Sequence, residues 1–508
     1  MSIRKQIEQN ALSIANKLYG TEIDSLPVQR TRKEFEGDYT LVVFPFTKAA
    51  RKAPPIIANE IGEQLVNAMP EVESFNVVQG FLNLKLTDTF WISALTEMAQ
   101  HDDLVVEGTD EPSKIMVEYA SPNTNKPLHL GHIRNVLLGY SISEIFKAIG
   151  HHVVKANLVN DRGIHICKSM LAWQKFGKGE TPESTGMKGD HLVGKYYVEF
   201  DKAYKAECES LADEKDSKLM AEAREMLIKW ESGNEEVVEL WKTMNGWVYE
   251  GHNRTYERLG VDFDQFYYES DTYKLGKDCI NEGLEKGVFY RKDDGSVWCD
   301  LTKDGLDEKL VLRADGTSVY MTQDIGTADL KFEEHSCERS IYVVGNEQEY
   351  HFKVLKLIIQ KLGREYADGI YHFSYGMIDL PEGKMKSREG TVVDADDLVD
   401  EMVDTARKQT EELGKIDMLD EDEREHLYYI LGMGALKYFL LKTDPKRRIT
   451  FNPKESIDFQ GNTGPFIQYT HARIKSVERK AEMADFKFDL AYEGAIESQE
   501  MELLFLLN

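Results

Sequence analysis

Apolar residues recur three and four apart through residues 3–18, a spacing that predicts an amphipathic helix. Residues 39–44 and 81–86 are rich in β-branched, aromatic and leucine side chains and predict strands, with a helix over 56–69 between them. The acidic stretch from His101-Asp102-Asp103 to Asp110-Glu111-Pro112 predicts a linker. Past it the pattern alternates: a strand over 114–119, a helix from about 130 to 149, and a strand over 153–159. Alternation of this kind predicts a mostly parallel sheet with crossover helices. Residues from about 181 to 262 are highly charged with helical periodicity, which marks an insertion and not a sheet layer. Residues 295–300 and 310–313 predict antiparallel strands around a turn. The sheet pattern resumes at 340–344, and from about Ala395 the chain predicts helix almost throughout.

The expected fold is therefore multidomain α/β. An N-terminal α+β domain covers 1–108, and a Rossmann-type parallel-sheet domain covers 109–394 with its helical insertion at about 181–262. A helical bundle follows over 395–508. A chain of 508 residues is too long for one core, and 42% hydrophobic residues suffice for ordinary packing. No apolar run approaches the roughly 20 residues of a membrane span, and the N-terminus reaches no apolar segment of a secretory signal. The five cysteines are scattered without a CxxC pair, against both a disulfide framework and a cysteine zinc site, so a cytoplasmic protein is expected. The net charge of −27 sits awkwardly with RNA binding, which needs local cationic clusters. Such clusters occur at 48–52, 446–448 and 471–480.

The most informative segment is Ser121-Pro122-Asn123-Thr124-Asn125-Lys126-Pro127-Leu128-His129-Leu130-Gly131-His132. It falls between a predicted strand and a predicted helix, where open α/β sheets bind ligands. Pro127 suits a helix start, and helix N-termini favour phosphate. His129 and His132, three apart, project from one side of the first turn, and Gly131 removes the side chain that would block a planar base. With Lys126 these groups form a candidate ATP clamp. A metal half-site would need an acidic or cysteine partner at the usual spacing, and none is present. No GxxxxGK[ST] occurs, which excludes a P-loop.

This string resembles the HIGH signature of class I aminoacyl-tRNA synthetases. A second signature should then follow late in the sheet, and Leu380-Pro381-Glu382-Gly383-Lys384-Met385-Lys386-Ser387-Arg388-Glu389-Gly390 resembles the family's KMSKS loop. The resemblance implies that Lys384 and Lys386 act on the triphosphate, with Met385 and Ser387 beside the nucleotide. Its third position holds Lys386 and its fourth Ser387, so which of Lys384, Lys386 and Arg388 carries the second cationic role stays open. The chemistry implied is attack of an amino-acid carboxylate on the α-phosphate of ATP, with Mg2+ bridging phosphate oxygens and no protein metal ligand.

Arginine demands fixed negative charge, because a guanidinium bonds best to carboxylates in bidentate geometry. Glu118, just before the nucleotide loop, and Asp324 in Val319-Tyr320-Met321-Thr322-Gln323-Asp324 are candidates. Both strings resemble arginyl-tRNA synthetases, and that resemblance implies that Asn123, Tyr320 and Gln348 contact arginine as well. It extends to 37–53 and 78–83, similar to an N-terminal domain that grips the tRNA corner. It extends also to 461–474, similar to the start of an anticodon-binding bundle. The family continues past the position of Asn508, so this bundle is expected to be incomplete. The resemblance implies a monomeric enzyme that activates L-arginine with ATP, needs bound tRNA(Arg) to do so, and transfers the amino acid to its 3′-terminal ribose, with no membrane involved.

Overall fold

The structure, a computed structural model, describes residues 2–20, 23–100, 108–211, 213–379, 393–414, 416, 419–452, 461–486 and 496–507. The chain groups into two compact units, Met1–Gly108 with Arg479–Asn508, and Thr109–Glu478. Among the described residues no helix is long and apolar enough to cross a membrane.

In the first unit, helices α1 (Ile3–Tyr19) and α2 (Pro54–Ala68) cover an antiparallel sheet. Its order is β1 (Val28–Arg30), β2 (Tyr39–Val42), β4 (Phe81–Leu86), β3 (Val72–Val78). The strand predicted over 39–44 stops at Val42, because Phe44-Pro45-Phe46 forms a 3-10 turn and proline cannot donate to a ladder. The helix predicted from residue 56 begins at Pro54, where a missing N–H costs nothing. The sequence reading placed 395–508 in one C-terminal bundle, whereas Arg479–Asn508 group here with 1–108. The terminal helix Ser498–Leu507 buries Leu504, and its Phe505 ring lies 4.5 Å from that of Trp91 in helix α3 (Asp88–Ala99). Leu504, with Met501 and Phe505 partly buried beside it, packs into the first core, while Leu503, Leu506 and Leu507 stay exposed.

The second unit is built on a five-stranded parallel sheet. The order is β12 (Ile370–Tyr375), β11 (Arg339–Gly345), β5 (Lys114–Glu118), β6 (His152–Val159), β7 (Gln265–Tyr268). Helix α4 (Leu130–Ala148) is the crossover from β5 to β6. A Cβ at Gly139 would come within 2.3 Å of the Tyr119 side chain, so only glycine lets α4 seat this close to the end of β5. Helices α5 (Ile164–Phe176), α6 (Gly189–Cys208), α7 (Lys218–Glu231) and α8 (Glu235–Leu259) form the insertion around their own core, with Met170, Leu192, Phe200, Ala223 and Val248 buried. It begins at Ile164, earlier than the sequence reading placed it, because α5 packs into this core.

Side chains alternate across the sheet. Ile341 and Val343 face a core shared with α4 and with helices α12 (Ala395–Leu413) and α13 (Glu421–Leu441). Tyr342 faces the other core. There lie helices α9 (Lys277–Glu285), α10 (Tyr320–His335) and α11 (Glu349–Lys361), with a small antiparallel sheet of β8 (Phe289–Arg291), β9 (Val297–Cys299) and β10 (Lys309–Leu312). The predicted antiparallel strands are the last two of these. The C-terminal region also contributes a strand, since β14 (Ile449–Thr450) pairs in parallel with β13 (Ile378–Asp379).

One side chain ties these pieces together. Arg134 on α4 is completely buried, and no carboxylate pairs with it among the described residues. Its guanidinium donates to the carbonyls of Gly376 at 2.5 Å, Met377 at 3.3 Å, Pro445 at 3.2 Å and Arg447 at 2.9 Å. Arg134→Met keeps the volume but leaves the Gly376 and Arg447 carbonyls without the donor described for them, while Pro445 still accepts from the Gly376 N–H and Met377 from the Ile449 N–H. Each unsatisfied buried group costs about 1–3 kcal/mol, so urea unfolding of this variant should show a loss of about 2 kcal/mol or more. A loss below about 1 kcal/mol would remove Arg134 from this role.

Candidate active site

The loop leaving β5 is held in an unusual backbone shape. Ala120 and Ser121 both have positive φ, 76° and 44°, a region that non-glycine residues enter only under constraint. The Ser121 N–H reaches back to the Tyr119 carbonyl at 3.2 Å, closing a γ-turn. Two buried amides enforce it: Asn135 Oδ1 accepts from the Ala120 N–H at 2.6 Å, and Asn157 Oδ1 accepts from the Ser121 N–H at 3.2 Å. Farther on, Thr124 N–H donates to the Asn160 carbonyl and Asn160 N–H to that of Pro122, so Asn123 rides on an extension of β6.

His129 caps α4 and His132 lies in its first turn, with ring centroids 3.9 Å apart. The Gly131 N–H donates to His129 Nδ1, and the His129 N–H donates to His132 Nδ1, each at 3.1 Å. With both Nδ1 atoms accepting, both neutral rings carry their proton on Nε2. Burial, then the charge of Lys126, pushes His129 down to about 4; burial, then His129, pushes His132 well below its ordinary value. The tip therefore presents two uncharged imidazole N–H donors at neutral pH. Behind it His252 of α8 donates from Nε2 to the Lys126 carbonyl at 3.3 Å. A Cβ at Gly194 of α6 would come within 2.7 Å of the Pro127 ring.

Lys384, Met385, Lys386, Ser387 and Arg388 lie outside the described residues. The residues flanking that stretch are described. Gly376 and Met377 are bonded to Arg134, and Val393–Ala395 lace onto the start of α4, with Leu130 N–H donating to the Val393 carbonyl and Ala395 N–H to that of Leu128. Asp394 caps α12 and lies 3.2 Å from His191 Nε2, with Asp396 at 3.5 Å, charge contacts and not aligned hydrogen bonds. The carboxylates of Asp394 and Asp396 push His191 up to about 10. Asp190, His191 and Asp396 have the spacing of a metal site, but Lys188 already contacts Asp190 and Asp396, and Arg258 contacts Asp396. Those cations do not fit a bound divalent ion.

The acidic slot is more elaborate than the sequence suggests. Glu118 stands opposite Tyr342 in the sheet and forms a buried ion pair with Lys331 of α10. Burial opposes the Lys331 charge, but Glu118 raises it overall. Asp324, two turns before Lys331 on the same side of α10, accepts from His351 Nε2 at 2.6 Å. Tyr342 is pushed up to about 12, chiefly by burial, with Glu118 and Asp324 both adding. The two carboxylates thus act on the same buried groups. Tyr320 at the start of α10 is 75% exposed, and Asn123 and Gln348 are also exposed. None of these three bonds to Glu118 or Asp324 among the described residues.

Glu269 escaped the sequence reading. It follows β7 in a helical turn, Glu269–Thr272, beside Arg162 at 4.0 Å. Burial pushes it up to about 7; Arg162 opposes, and Asp161 and Asp324 add. The charge of Asp324 reaches Glu269, which makes it a further candidate for the acidic site. The signal in the sequence was the short run Phe266-Tyr267-Tyr268 ending in an acid, a strand too brief for periodicity to reveal.

Two family models match the chain. One, tRNA synthetases class I (R), catalytic domain, covers residues 94–452; the other, Arginyl tRNA synthetase N terminal domain, covers 1–86. An arginine–tRNA ligase of Parabacteroides distasonis is 56% identical over 519 residues, covering 100% of this chain and 85% of its own. That of Porphyromonas gingivalis is 58% identical over 497 residues, covering 96% and 83%. Among solved structures, Thermus thermophilus arginyl-tRNA synthetase superposes with a TM-score of 0.79 at 24% identity, covering 100% of this chain and 86% of that one. The Plasmodium falciparum enzyme gives 0.76 at 18%, covering 99% and 85%. These two likenesses concern the fold.

The His191 contacts generate a pH dependence. Its folded value near 10 lies above the ordinary 6.5, so its stabilising effect is complete below about pH 6.5 and fades as pH rises toward 10. Thermal midpoints of the parent chain and His191→Asn should differ most near pH 6 and converge by about pH 10. A gap that stays constant across this range would mean that His191 is not a charged partner of Asp394.

Proposed function

The chain belongs to the class I arginyl-tRNA synthetases and joins arginine to tRNA using ATP, and from that premise we propose how its residues divide the work. The observation that carries the proposal is the locked tautomer of the two histidines. Nε2–H groups of His129 and His132 donate to phosphate oxygens of ATP where negative charge grows as pyrophosphate departs. Lys126 adds a positive charge beside them, while Pro127 and Gly131 shape the helix start against the nucleotide. Lys384 and Lys386, with Met385 and Ser387, complete the site from the second signature.

In the first step the arginine carboxylate attacks the α-phosphorus and pyrophosphate leaves. In the second, a terminal ribose hydroxyl of tRNA(Arg) attacks the activated carbonyl, an ester forms, AMP leaves, and the hydroxyl proton is lost to the departing phosphate. The phosphate-facing groups described are donors, so Mg2+ would arrive held by the nucleotide's own oxygens and waters, supplying charge neutralisation. Asp324, Glu118 and Glu269 form the guanidinium slot, with Asn123, Tyr320 and Gln348 closing on the rest of the amino acid. Residues 1–108 serve the tRNA corner, and the C-terminal helices of the second unit, as far as Glu478, serve the anticodon. A monomer working in the cytoplasm suits substrates that meet there.

The test of the whole reading is ATP–pyrophosphate exchange across the amino acids, with and without tRNA. Exchange should depend on arginine and on tRNA; arginine failing to support it with tRNA present rejects the reading. His132→Ala should slow activation by about 100-fold, the usual effect of losing one preorganised donor. Activation at the parent rate would place His132 outside the ATP clamp. Asp324→Asn should raise the KM for arginine by about 10- to 100-fold, since a hydrogen bond to a charged group is worth about 1.5–3 kcal/mol. The KM for ATP should move less than about 3-fold. Equal changes in both would count against Asp324 as a side-chain partner.

A further inference from the structure

Glu118 of the proposed arginine slot does not stand alone; a buried cation goes with it. At the end of β5, Glu118 shares one face of the sheet with Tyr342 of β11 and Ala156 of β6, and Tyr267 of β7 belongs to that face as well. Lys331 comes onto this face from α10 and is only 3% exposed. Its ammonium is ion-paired with Glu118 Oε2 and lies 5.0 Å from the centroid of the Tyr342 ring and 5.5 Å from that of Tyr267. The Tyr267 hydroxyl donates to Glu334 at 2.8 Å, and its ring packs with Met116, Ala156 and Cys337, so the cation's surroundings are fixed and mostly apolar.

As a prop for the fold this pair is a poor choice. Taking an ammonium and a carboxylate out of water is expensive, and a neutral pair of similar volume commonly packs as well or better. The pair does alter the slot. Asp324 lies two turns before Lys331 on the same side of α10, and its charge reaches both Lys331 and Tyr342, as that of Glu118 does. Lys331 is therefore within the reach of both carboxylates assigned to the side chain of arginine.

An ammonium already lodged at Glu118 has opposite consequences for two kinds of cationic amino acid. Lysine and ornithine carry a side-chain ammonium, a point charge whose gain depends on net negative charge. Lys331 cancels that of Glu118 and repels the newcomer. A guanidinium is planar with five donors in fixed directions, so it gains from an acceptor oxygen even where the carboxylate is balanced. Lys331 bonds Oε2, and among the described residues nothing donates to Glu118 Oε1.

We propose that Lys331 is a specificity-determining residue: paired with Glu118, it makes the slot favour the guanidinium of arginine over the ammonium of lysine and ornithine. The proposal rests on the arginyl-transfer reading and gives its amino-acid slot a positioning residue that acts through Glu118. The measurement is arginine-dependent ATP–pyrophosphate exchange by the full chain with tRNA present, inhibited by lysine or ornithine. The readout is the ratio of the inhibition constant of lysine to the KM for arginine. Lys331→Met keeps the volume. It frees the charge of Glu118 for an ammonium, or lets that carboxylate take a proton and hold arginine less well. Both lower the ratio, by about 10- to 100-fold, the range a hydrogen bond to a charged group is worth. A change that only loosened the core would weaken both amino acids alike and leave the ratio in place.

Lys331→Gln, which keeps a donor for Glu118 without the charge, should lower the ratio in the same direction. The chain carrying Glu118→Gln and Lys331→Met together puts a neutral pair in place of the charged one, the exchange that buried sites tolerate best. Its ratio should fall as far as in Glu118→Gln alone, to within about 3-fold. A parent-like ratio in any of these chains overturns the proposal, and so does an effect of Lys331→Met that persists where Glu118 is already Gln. In those cases arginine activation by the parent stands. A parent chain that supports no arginine-dependent exchange fails the functional reading itself, and the proposal with it.

Discussion

A buried guanidinium with no carboxylate partner among the described residues leans on backbone, and the two terminal nitrogens of Arg134 donate to four carbonyls drawn from two distant stretches of chain. The desolvation of a cation is expensive, and dipoles offset it only when they converge from several directions. That convergence is what makes the residue a keystone: the segment after β12 and the segment after α13 must both come to the flank of α4. The residues following 392 reach the same helix by another route, through backbone pairing with Leu128–Leu130. Both described flanks of the second signature are thus referenced to the one helix whose tip carries the first.

The same helix controls protonation. Two histidines at its start would normally be half charged near neutral pH, and a charged pair 3.9 Å apart would repel. Here the backbone supplies a proton to each Nδ1, burial disfavours the imidazolium, and Lys126 adds a like charge nearby. Every influence points toward neutral rings with outward Nε2–H groups. On the proposed reading, the positive charge a triphosphate requires is left to lysines, which act as point charges and not as directed donors. Imidazoles give direction and lysines give charge.

How much of this could be read beforehand depended on how local it was. The string from Ser121 to His132 is contiguous, so its chemistry was visible before any fold was known. So were the strands at 81–86 and 114–118 and helix α4, each long or regular enough for its period to show. What escaped depends on register between distant segments. Arg134 sits among apolar neighbours in a helix, and nothing nearby in sequence says that its partners lie at 376–377 and 445–447. Lys331 and Glu118 are separated by 213 positions, and only the pairing of β5 with β11 under α10 brings them together. Glu269 follows a four-residue strand, too short for periodicity. The terminal helix Ser498–Leu507 has an apolar run that any core could have claimed, and the claimant is the N-terminal one.

That long-range pairing also bears on how an acidic slot selects one amino acid. Three carboxylates around an empty space would raise one another's affinity for protons and admit any cation. In this chain Glu118 is balanced by Lys331, whereas Arg162 bonds Glu231 at 2.7 Å and only approaches Glu269 at 4.0 Å, so burial pushes Glu269 up to about 7. Only Asp324, held by His351, is left for a ligand's full charge on the proposed reading. One net negative site suits a monocation, but charge alone would accept lysine as readily as arginine. The balanced carboxylate keeps its oxygens even where its charge is spent, and these are acceptors fixed in direction. A planar guanidinium with five donors can satisfy several at once, whereas an ammonium is a point charge with three donors on one atom. On the proposed reading, the pairing of Glu118 with Lys331 turns an acidic pocket into one read by hydrogen-bond geometry.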